Sequence, residues 1–254
     1  MKVALTIGGS DPTGGAGVQM DIKVFQALGV YGVSVVTAIT AQNTTAVENI
    51  HPLSPQLIDS QFKALLNDIN PYGAKIGMIY TSEALDCIIE NCKKYGIKRL
   101  IIDPIIKSST GTELIRKDTL KKLKEEAIPM AEVITANIPE AEILSGIQIN
   151  SKESIIEAAK TIHKMGVQTV IIKGGHLEDK ASDFLYDGKE IHIEEDEKFS
   201  GIYHGTGCAF SSAFLSFLCL GYSSKDALKA SKNFVKNAIR NAMKLGKGMY
   251  LLKI

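Results

Sequence analysis

The strongest constraint in this sequence is a set of Val- and Ile-rich runs, mostly apolar and without polar/apolar alternation, at residues 3–9, 33–41, 74–80, 99–106, 132–137 and 169–175. A strand that alternates polar and apolar residues shows one face to water. A continuous apolar run is buried on both faces, which in a sheet means parallel strands with helices on either side. Between the runs the period becomes helical: within 81–95, Leu85, Ile88, Ile89 and Cys92 fall at i, i+3, i+4 and i+7. Asn150 with Glu153 marks a further helix start, Ile155, Ala159 and Ile162 its stripe, and Gly166 its end. The segment FLYDGKEIHI places Asp187-Gly188 between two short strands, a hairpin signal. Two helices, at 206–220 and 223–245, close the chain. No repeat or linker divides it, so the pattern predicts a doubly wound α/β fold in a single domain over residues 1–254.

The residues that leave each run are as informative as the run itself. The exits read GGSDPTGGAG, AQNT, GMIY, DPIIKSSTG, TANIPEAE and KGGH, while the strand entries are ordinary. Ligands of open parallel sheets bind outside the carboxyl ends of the strands, so this asymmetry predicts a small-molecule site there. Glycines 8, 9, 14, 15, 17, 77, 111, 174, 175, 205 and 207 fall in the motifs of that site, where backbone must pass close to a ligand. Lys plus Arg total 29 against 28 Asp plus Glu, a net charge of +1. Nucleic acid and anionic membrane both demand a broad positive field, so neither is expected as a partner. Four Cys without a CxxC, a first apolar run too short for a signal sequence, and no stretch of ~18 apolar residues predict a reduced, cytoplasmic setting.

Residues 8–17 follow a strand and open a helix, as phosphate-binding loops do. No GxxxxGK(S/T) is present and no acid ends the second strand, which speaks against a P-loop protein and a dinucleotide-dependent dehydrogenase. Asp21 points into the apolar stripe Val18, Ile22, Phe25 and Leu28 of the helix. A carboxylate facing a core needs partners, so Asp21 either bridges buried groups or forms the floor of a pocket. His204-Gly205-Thr206-Gly207-Cys208 precedes a helix apolar nearly all round, whose N-terminus suits an anion. Cys208, in its first turn, is placed for a thiolate or proton-accepting role, whereas Cys87, Cys92 and Cys219 read as inert. Asp103, Asn137 and Glu140 at strand exits suit Mg²⁺ held partly through water and phosphates, and Lys173 suits a phosphate. The five His show no metal spacing and read as surface or supporting residues. Lys225, Lys229, Lys232, Lys236, Arg240 and Lys244 read as the solvated face of the last helix.

Taken in order, GSDPTGGAGVQMD (9–21), TAQNT (40–44), KIGM (75–78), DP (103–104), NIPEAE (137–142), KGGH (173–176) and HGTGC (204–208) resemble the hydroxymethylpyrimidine/phosphomethylpyrimidine kinases of the thiamine pathway, in the ribokinase-like superfamily. The likeness runs from about residue 3 to about residue 243. It implies a three-layer α/β/α sandwich with a mostly parallel central sheet, and two successive phosphorylations with ATP and Mg²⁺. The first acts on a hydroxymethyl group and the second on the phosphate so formed. It also implies a homodimer. By position, Asp21 and Gln42 hold the aminopyrimidine edge, and Gly9 and Met78 line its pocket. Asn137, Glu140 and Lys173 serve ATP, Asp103 and Glu140 the Mg²⁺, and Gly205, Thr206, Gly207 and Cys208 form the catalytic anion hole.

Two positions depart from the family pattern. Ala136 stands where Pro is usual, and Lys107 with Ser108, Ser109 and Thr110 stands where apolar residues usually follow Asp103-Pro104. Lys107 is expected to reach a phosphate when that segment closes. The nearest alternative is a pyridoxal kinase of the same superfamily, against which Gln42-Asn43 speaks. A non-catalytic pyrimidine-binding regulator is disfavoured because it has no need of Glu140, Lys173 and Cys208 together.

Overall fold

The chain runs β1 (Val3–Ser10), α1 (Gly17–Ala27), β2 (Tyr31–Gln42), β3 (Val47–Pro52), α2 (Pro55–Leu66), β4 (Gly73–Ile76), α3 (Ser82–Lys94), β5 (Leu100–Ile102), α4 (Lys117–Lys122), β6 (Val133–Asn137), α5 (Ile138–Ser145), α6 (Lys152–His163), β7 (Thr169–Gly174), β8 (Lys180–Tyr186), β9 (Ile191–Glu197), β10 (Tyr203–His204), α7 (Thr206–Cys219), α8 (Ser224–Arg240) and β11 (Tyr250–Leu251). The computed structural model describes residues 1–108, 110–174 and 180–254. Ser109, Gly175 and His176, named in the sequence motifs, lie outside the described residues.

Every one of the apolar runs becomes a strand of one nine-stranded sheet, ordered β3-β2-β1-β4-β5-β6-β7-β8-β9. The strands from β2 to β7 pair in parallel, and the pairs β2–β3, β7–β8 and β8–β9 are antiparallel. Successive strand residues point to opposite faces. Ile102, Ile134 and Ile172 enter a core with Phe62, Leu85 and Ile155 from α2, α3 and α6. Their neighbours Ile101, Val133 and Ile171 enter another with Phe25, Phe214 and Leu228 from α1, α7 and α8. Both faces are thus covered, which is why the runs carry no alternation. The result is the expected three-layer α/β/α sandwich. No described helix is long and apolar enough to cross a membrane.

Several local expectations are corrected. The runs at 74–80 and 99–106 stay in the sheet only to Ile76 and Ile102, and the remainder leaves it at the carboxyl end. The edge strand β3, VENIHP, has no apolar pattern because little of it is buried. Helix α6 is capped one residue later than expected, Ser151 accepting from the Ser154 N–H. Helix α8 ends at Arg240, leaving Lys244 beyond it.

The basic stripe is not simply solvated. Asp187-Gly188 does turn the β8–β9 hairpin, and α8 lies against it through ion pairs. Lys232 meets Asp183 at 2.8 Å, Lys236 meets Asp196 at 2.5 Å, Lys225 meets Glu190 at 3.1 Å, and Arg240 pairs with Glu197. The positive charge is spent inside the molecule, consistent with a chain of net charge +1.

Candidate active site

Parallel strands end on the same side, and there a cavity opens. Ser10, Gln42 and Asn137 close β1, β2 and β6 and line it together with Lys173 of β7. Every candidate residue from the sequence lines it except Asp21. Gly9 packs on Met78 so closely that a Cβ there would lie 2.9 Å from the Met78 sulfur. Lys107 is exposed at the rim, its backbone bridged to Glu113.

Sequence reasoning gave Asp11 no role and read His204 only as a surface or supporting residue. The Asp11 carboxylate gathers the glycine loop, accepting from the backbone of Thr13 (2.8 Å) and Ala16 (2.8 Å) and from the Thr13 hydroxyl (3.0 Å). It also meets His204 Nε2 at 2.7 Å. Burial alone would raise its carboxyl, but the His204 and Thr13 hydrogen bonds hold it below the ordinary carboxylate range. His204 is buried beside the cavity, and its partner stands 193 residues away in sequence. No spacing rule finds such a pair.

Beneath the cavity runs a chain of buried charges. Asp21 and Lys75, each 1% exposed, are paired at 2.9 Å, and both carboxylate oxygens face the ammonium. Thr6 Oγ1 (2.5 Å) and Ser212 Oγ (2.7 Å) donate to the same carboxylate. A carboxylate so surrounded has no lone pair left for a ligand. Of the two roles open to Asp21 in the sequence, bridging buried groups is the one realised, and the pyrimidine contact implied by the resemblance has no geometry here. Lys75 went unnoticed because its strand reads as apolar. Burial would strip its proton, yet Asp21 and Asp103 hold it charged above the usual lysine range.

Asp103 continues the chain. Its oxygens take Lys173 Nζ (3.2 Å), Thr135 Oγ1 (3.1 Å) and Ser211 Oγ (3.1 Å), with Lys75 Nζ at 4.0 Å. Although buried, it is held below the carboxylate range by Lys173 and Lys75. Asp103 Oδ1 is taken by Lys173 and Thr135, while Oδ2, with Ser211 as its one hydrogen-bond donor among the described residues, is the oxygen that an Mg²⁺ expected here would have to use. Glu140 differs. Asn137 and Glu140 form a reciprocal cap on α5, each side chain accepting from the other's N–H at 2.9 Å. Burial pushes the Glu140 carboxyl up to about 7, with Lys173 opposing and Asp103 reinforcing the rise. Two ammoniums already balance Asp21 and Asp103, so ionised Glu140 is the odd negative charge. Among the described residues no group of three or more His, Cys, Asp or Glu side chains is arranged to hold a metal ion. A cation here would be held by Glu140 together with phosphate and water oxygens, a donor set that fits Mg²⁺.

That odd charge has a measurable consequence. A folded-state pKa raised from 4.5 to about 7 means stability present below the unfolded value and lost as pH rises through 7. Glu140→Gln keeps an acceptor for the cap and removes the charge. The ligand-free variant is expected to be more stable than the parent at pH 8, by a few kcal/mol at most, and no more stable than it at pH 4.5. Calorimetry at the two pH values decides. A variant less stable at pH 8 overturns the assignment of the charge.

The α7 N-terminus is where the sequence places the anion hole. Gly205 adopts φ +80°, and a Cβ there would fall 1.7 Å from the Gly15 carbonyl oxygen, so only glycine joins the two loops. The free N–H groups of the first turn lie beside Lys173, whose Nζ would be 3.4 Å from a Cβ on Gly207. Ser211 and Ser212, one turn further, dock α7 on Asp103 and Asp21. Cys208 is 5% exposed. Burial pushes its thiol up to about 11 despite the nearby Lys75, so the thiolate expected from the helix dipole does not form at neutral pH in the free protein. The other three cysteines are buried and free, as expected.

Comparison with known proteins places the chain among kinases of small heteroaromatic alcohols. A family model described as phosphomethylpyrimidine kinase matches residues 11–253. The chain is 40% identical to a hydroxymethylpyrimidine/phosphomethylpyrimidine kinase of Bacillus subtilis (strain 168) over 96% of this chain and 92% of that one. It is 39% identical to the enzyme of that name from Aquifex aeolicus (strain VF5), over 98% and 99%. Among solved structures, a phosphomethylpyrimidine kinase from Clostridium difficile 630 superposes with TM-score 0.84 at 40% identity, covering 94% of this chain and 100% of that one. An ADP complex of Bacillus subtilis pyridoxal kinase gives 0.91 at 35%, covering 100% and 97%. With a model spanning nearly its whole length and relatives of this identity, the chain belongs to the phosphomethylpyrimidine kinase family, on the ribokinase-like fold.

Proposed function

We propose that this chain transfers the γ-phosphoryl group of ATP to the hydroxymethyl group of 4-amino-5-hydroxymethyl-2-methylpyrimidine, and then phosphorylates the resulting monophosphate to the diphosphate, as a step of thiamine biosynthesis. One observation carries this reading. The amide of Gln42 and the N-terminus of α7, with Lys173 beside it, line the same cavity, which supports a reading in which one cavity holds a pyrimidine edge and a phosphoryl group together.

Phosphoryl transfer asks mostly for positioning and for charge stabilisation at the transferred group. The N–H groups of Gly207 and Cys208 meet the phosphoryl oxygens at the helix N-terminus. Lys173, held by Asp103 and by the Thr135 carbonyl (3.4 Å), keeps its ammonium at that place. Asn137 and Glu140 face the nucleotide, and Lys107 at the rim reaches a phosphate when its segment closes. Glu140 would hold Mg²⁺, which would supply neutralisation of charge on the nucleotide phosphates. In the first step the acceptor hydroxyl surrenders its proton to Cys208. In the second the acceptor is already an anion and needs no base.

The pyridoxal kinases rank as the second reading because they superpose with the higher TM-score. ATP consumption with the aminopyrimidine and with pyridoxal, run side by side and with products identified by mass, separates the two. Faster turnover of the aminopyrimidine, with mono- and diphosphate both formed, is expected. Faster turnover of pyridoxal overturns the proposal.

A further inference from the structure

Gln42 is held by two neighbours whose own bonding fixes which way its amide points. As drawn, Gln42 Oε1 lies 3.0 Å from Thr40 Oγ1, and Nε2 lies 3.2 Å from His204 Nε2. Thr40 has one hydroxyl proton, and the Ser10 carbonyl, which only accepts, takes it at 2.9 Å. Thr40 Oγ1 therefore accepts from Gln42, and the amide atom facing it is the NH₂. The His204 side gives the same answer. Asp11 is ionised and lies 2.7 Å from His204 Nε2, so that nitrogen carries a proton. An N–H cannot accept from an NH₂, so the amide atom facing His204 is the oxygen, which shares the Nε2 proton with Asp11. His204 Nδ1 is buried with no partner among the described residues. Amide orientation and tautomer are invisible in heavy-atom positions and follow from such networks. Here two independent constraints agree on the turned amide.

We infer that Asp11 and His204 lock the donor–acceptor order of Gln42, so that the site selects a heteroaromatic edge in which a ring nitrogen acceptor adjoins an exocyclic amine donor. The locked amide presents its second N–H on the Thr40 side and its second oxygen lone pair on the His204 side. A ring nitrogen meets the first and an amino N–H the second. An oxo-pyrimidine carries the reverse order, a ring N–H beside a carbonyl, and meets donor with donor and acceptor with acceptor. Polar sites built this way reject a mismatched edge by far more than a missing methylene costs. His204 touches no substrate atom in this scheme. It is a positioning residue acting through Gln42, and the inference rests on the pyrimidine kinase reading of the site.

The test compares kcat/KM for 4-amino-5-hydroxymethyl-2-methylpyrimidine with that for its 4-oxo analogue. The unsubstituted enzyme is expected to favour the amino compound by at least ~10³-fold. His204→Ala frees the amide to rotate, and the preference is expected to fall at least ~10-fold with the KM for ATP unchanged. His204→Gln restores an N–H for Asp11 and Gln42 and is expected to recover most of the preference, which a merely structural role for His204 does not predict. Nitrogen-15 NMR of the unsubstituted protein reads the tautomer directly, even if His204→Ala fails to fold. A proton on Nδ1 alone, or an unchanged preference in a folded His204→Ala, overturns the inference while leaving the kinase reading intact. No turnover of either pyrimidine alongside turnover of pyridoxal overturns that reading, and this inference with it.

Discussion

Replacing Asp21 with Ala is expected to lower the melting temperature by about 10 °C, the largest loss of stability from any single change in the site. The variant leaves the Lys75 ammonium buried with Asp103 as its nearest carboxylate, at 4.0 Å, and leaves Thr6 and Ser212 without an acceptor. Removing one partner of a buried ion pair costs roughly 3–5 kcal/mol, because the other charge stays behind without compensation. A chain of this size loses about 2–4 °C per kcal/mol, which sets the size of the drop. The loss alone does not separate a structural carboxylate from one that also binds substrate, so a second variant is needed. Asp21→Asn with Lys75→Met removes both charges and keeps the shape. Such neutral replacements are often tolerated, and most of the stability is expected to return. The KM for the aminopyrimidine should then lie within about threefold of the parent, below the effect of losing a hydrogen bond to a charged group. A double variant that melts normally but binds the pyrimidine ten times more weakly restores Asp21 to the substrate site.

Asp21 also shows where sequence reasoning stops. The 3.6-residue period placed it on the inner stripe of α1 and required a partner, and both conclusions hold. The partner's identity was out of reach, because Lys75 sits in a strand that reads as apolar and lies 54 residues away. The same limit hid the partner of His204. What was legible depends on short-range physics. Apolar runs gave the strands, because burial on both faces leaves a mark on every residue. Polar strand exits gave the cavity, because parallel strands end together. Elements held by few local contacts left no such mark: β3 is an exposed edge, and the two-residue strands β10 and β11 pair residues that stand 47 positions apart, Tyr203 with Tyr250 and His204 with Leu251. Charge was legible as a sum and not as a pattern. A stripe of lysines looks alike whether it faces water or a hairpin, and only Asp183 and Asp196 reveal which. The dipole at the start of α7 can be read from the sequence, but the burial that opposes it at Cys208 belongs to the packed fold.

Substituting Cys208 with Ala is expected to slow the first phosphorylation by about 10²-fold, within the range for losing a general base, and to leave the second within a factor of about three. The contrast follows from the acceptors. A hydroxymethyl group must lose a proton as it is phosphorylated, whereas a phosphomonoester near neutral pH has little or nothing to lose. A thiol pushed up to about 11 is a strong base that is almost always occupied, so at pH 7 roughly one molecule in ten thousand carries the thiolate. The rate of the first step is therefore expected to rise tenfold per pH unit between 7 and 10, and the slope to vanish in the Ala variant. The second step should lack that slope in both proteins. Single-turnover measurements, started separately from the alcohol and from the monophosphate, give the two rates. Equal losses in both steps, or a first step whose pH slope survives the substitution, remove Cys208 as the proton acceptor. In that case its place in the first turn of α7 serves only to present a backbone N–H to the phosphoryl group, a duty that any small residue performs.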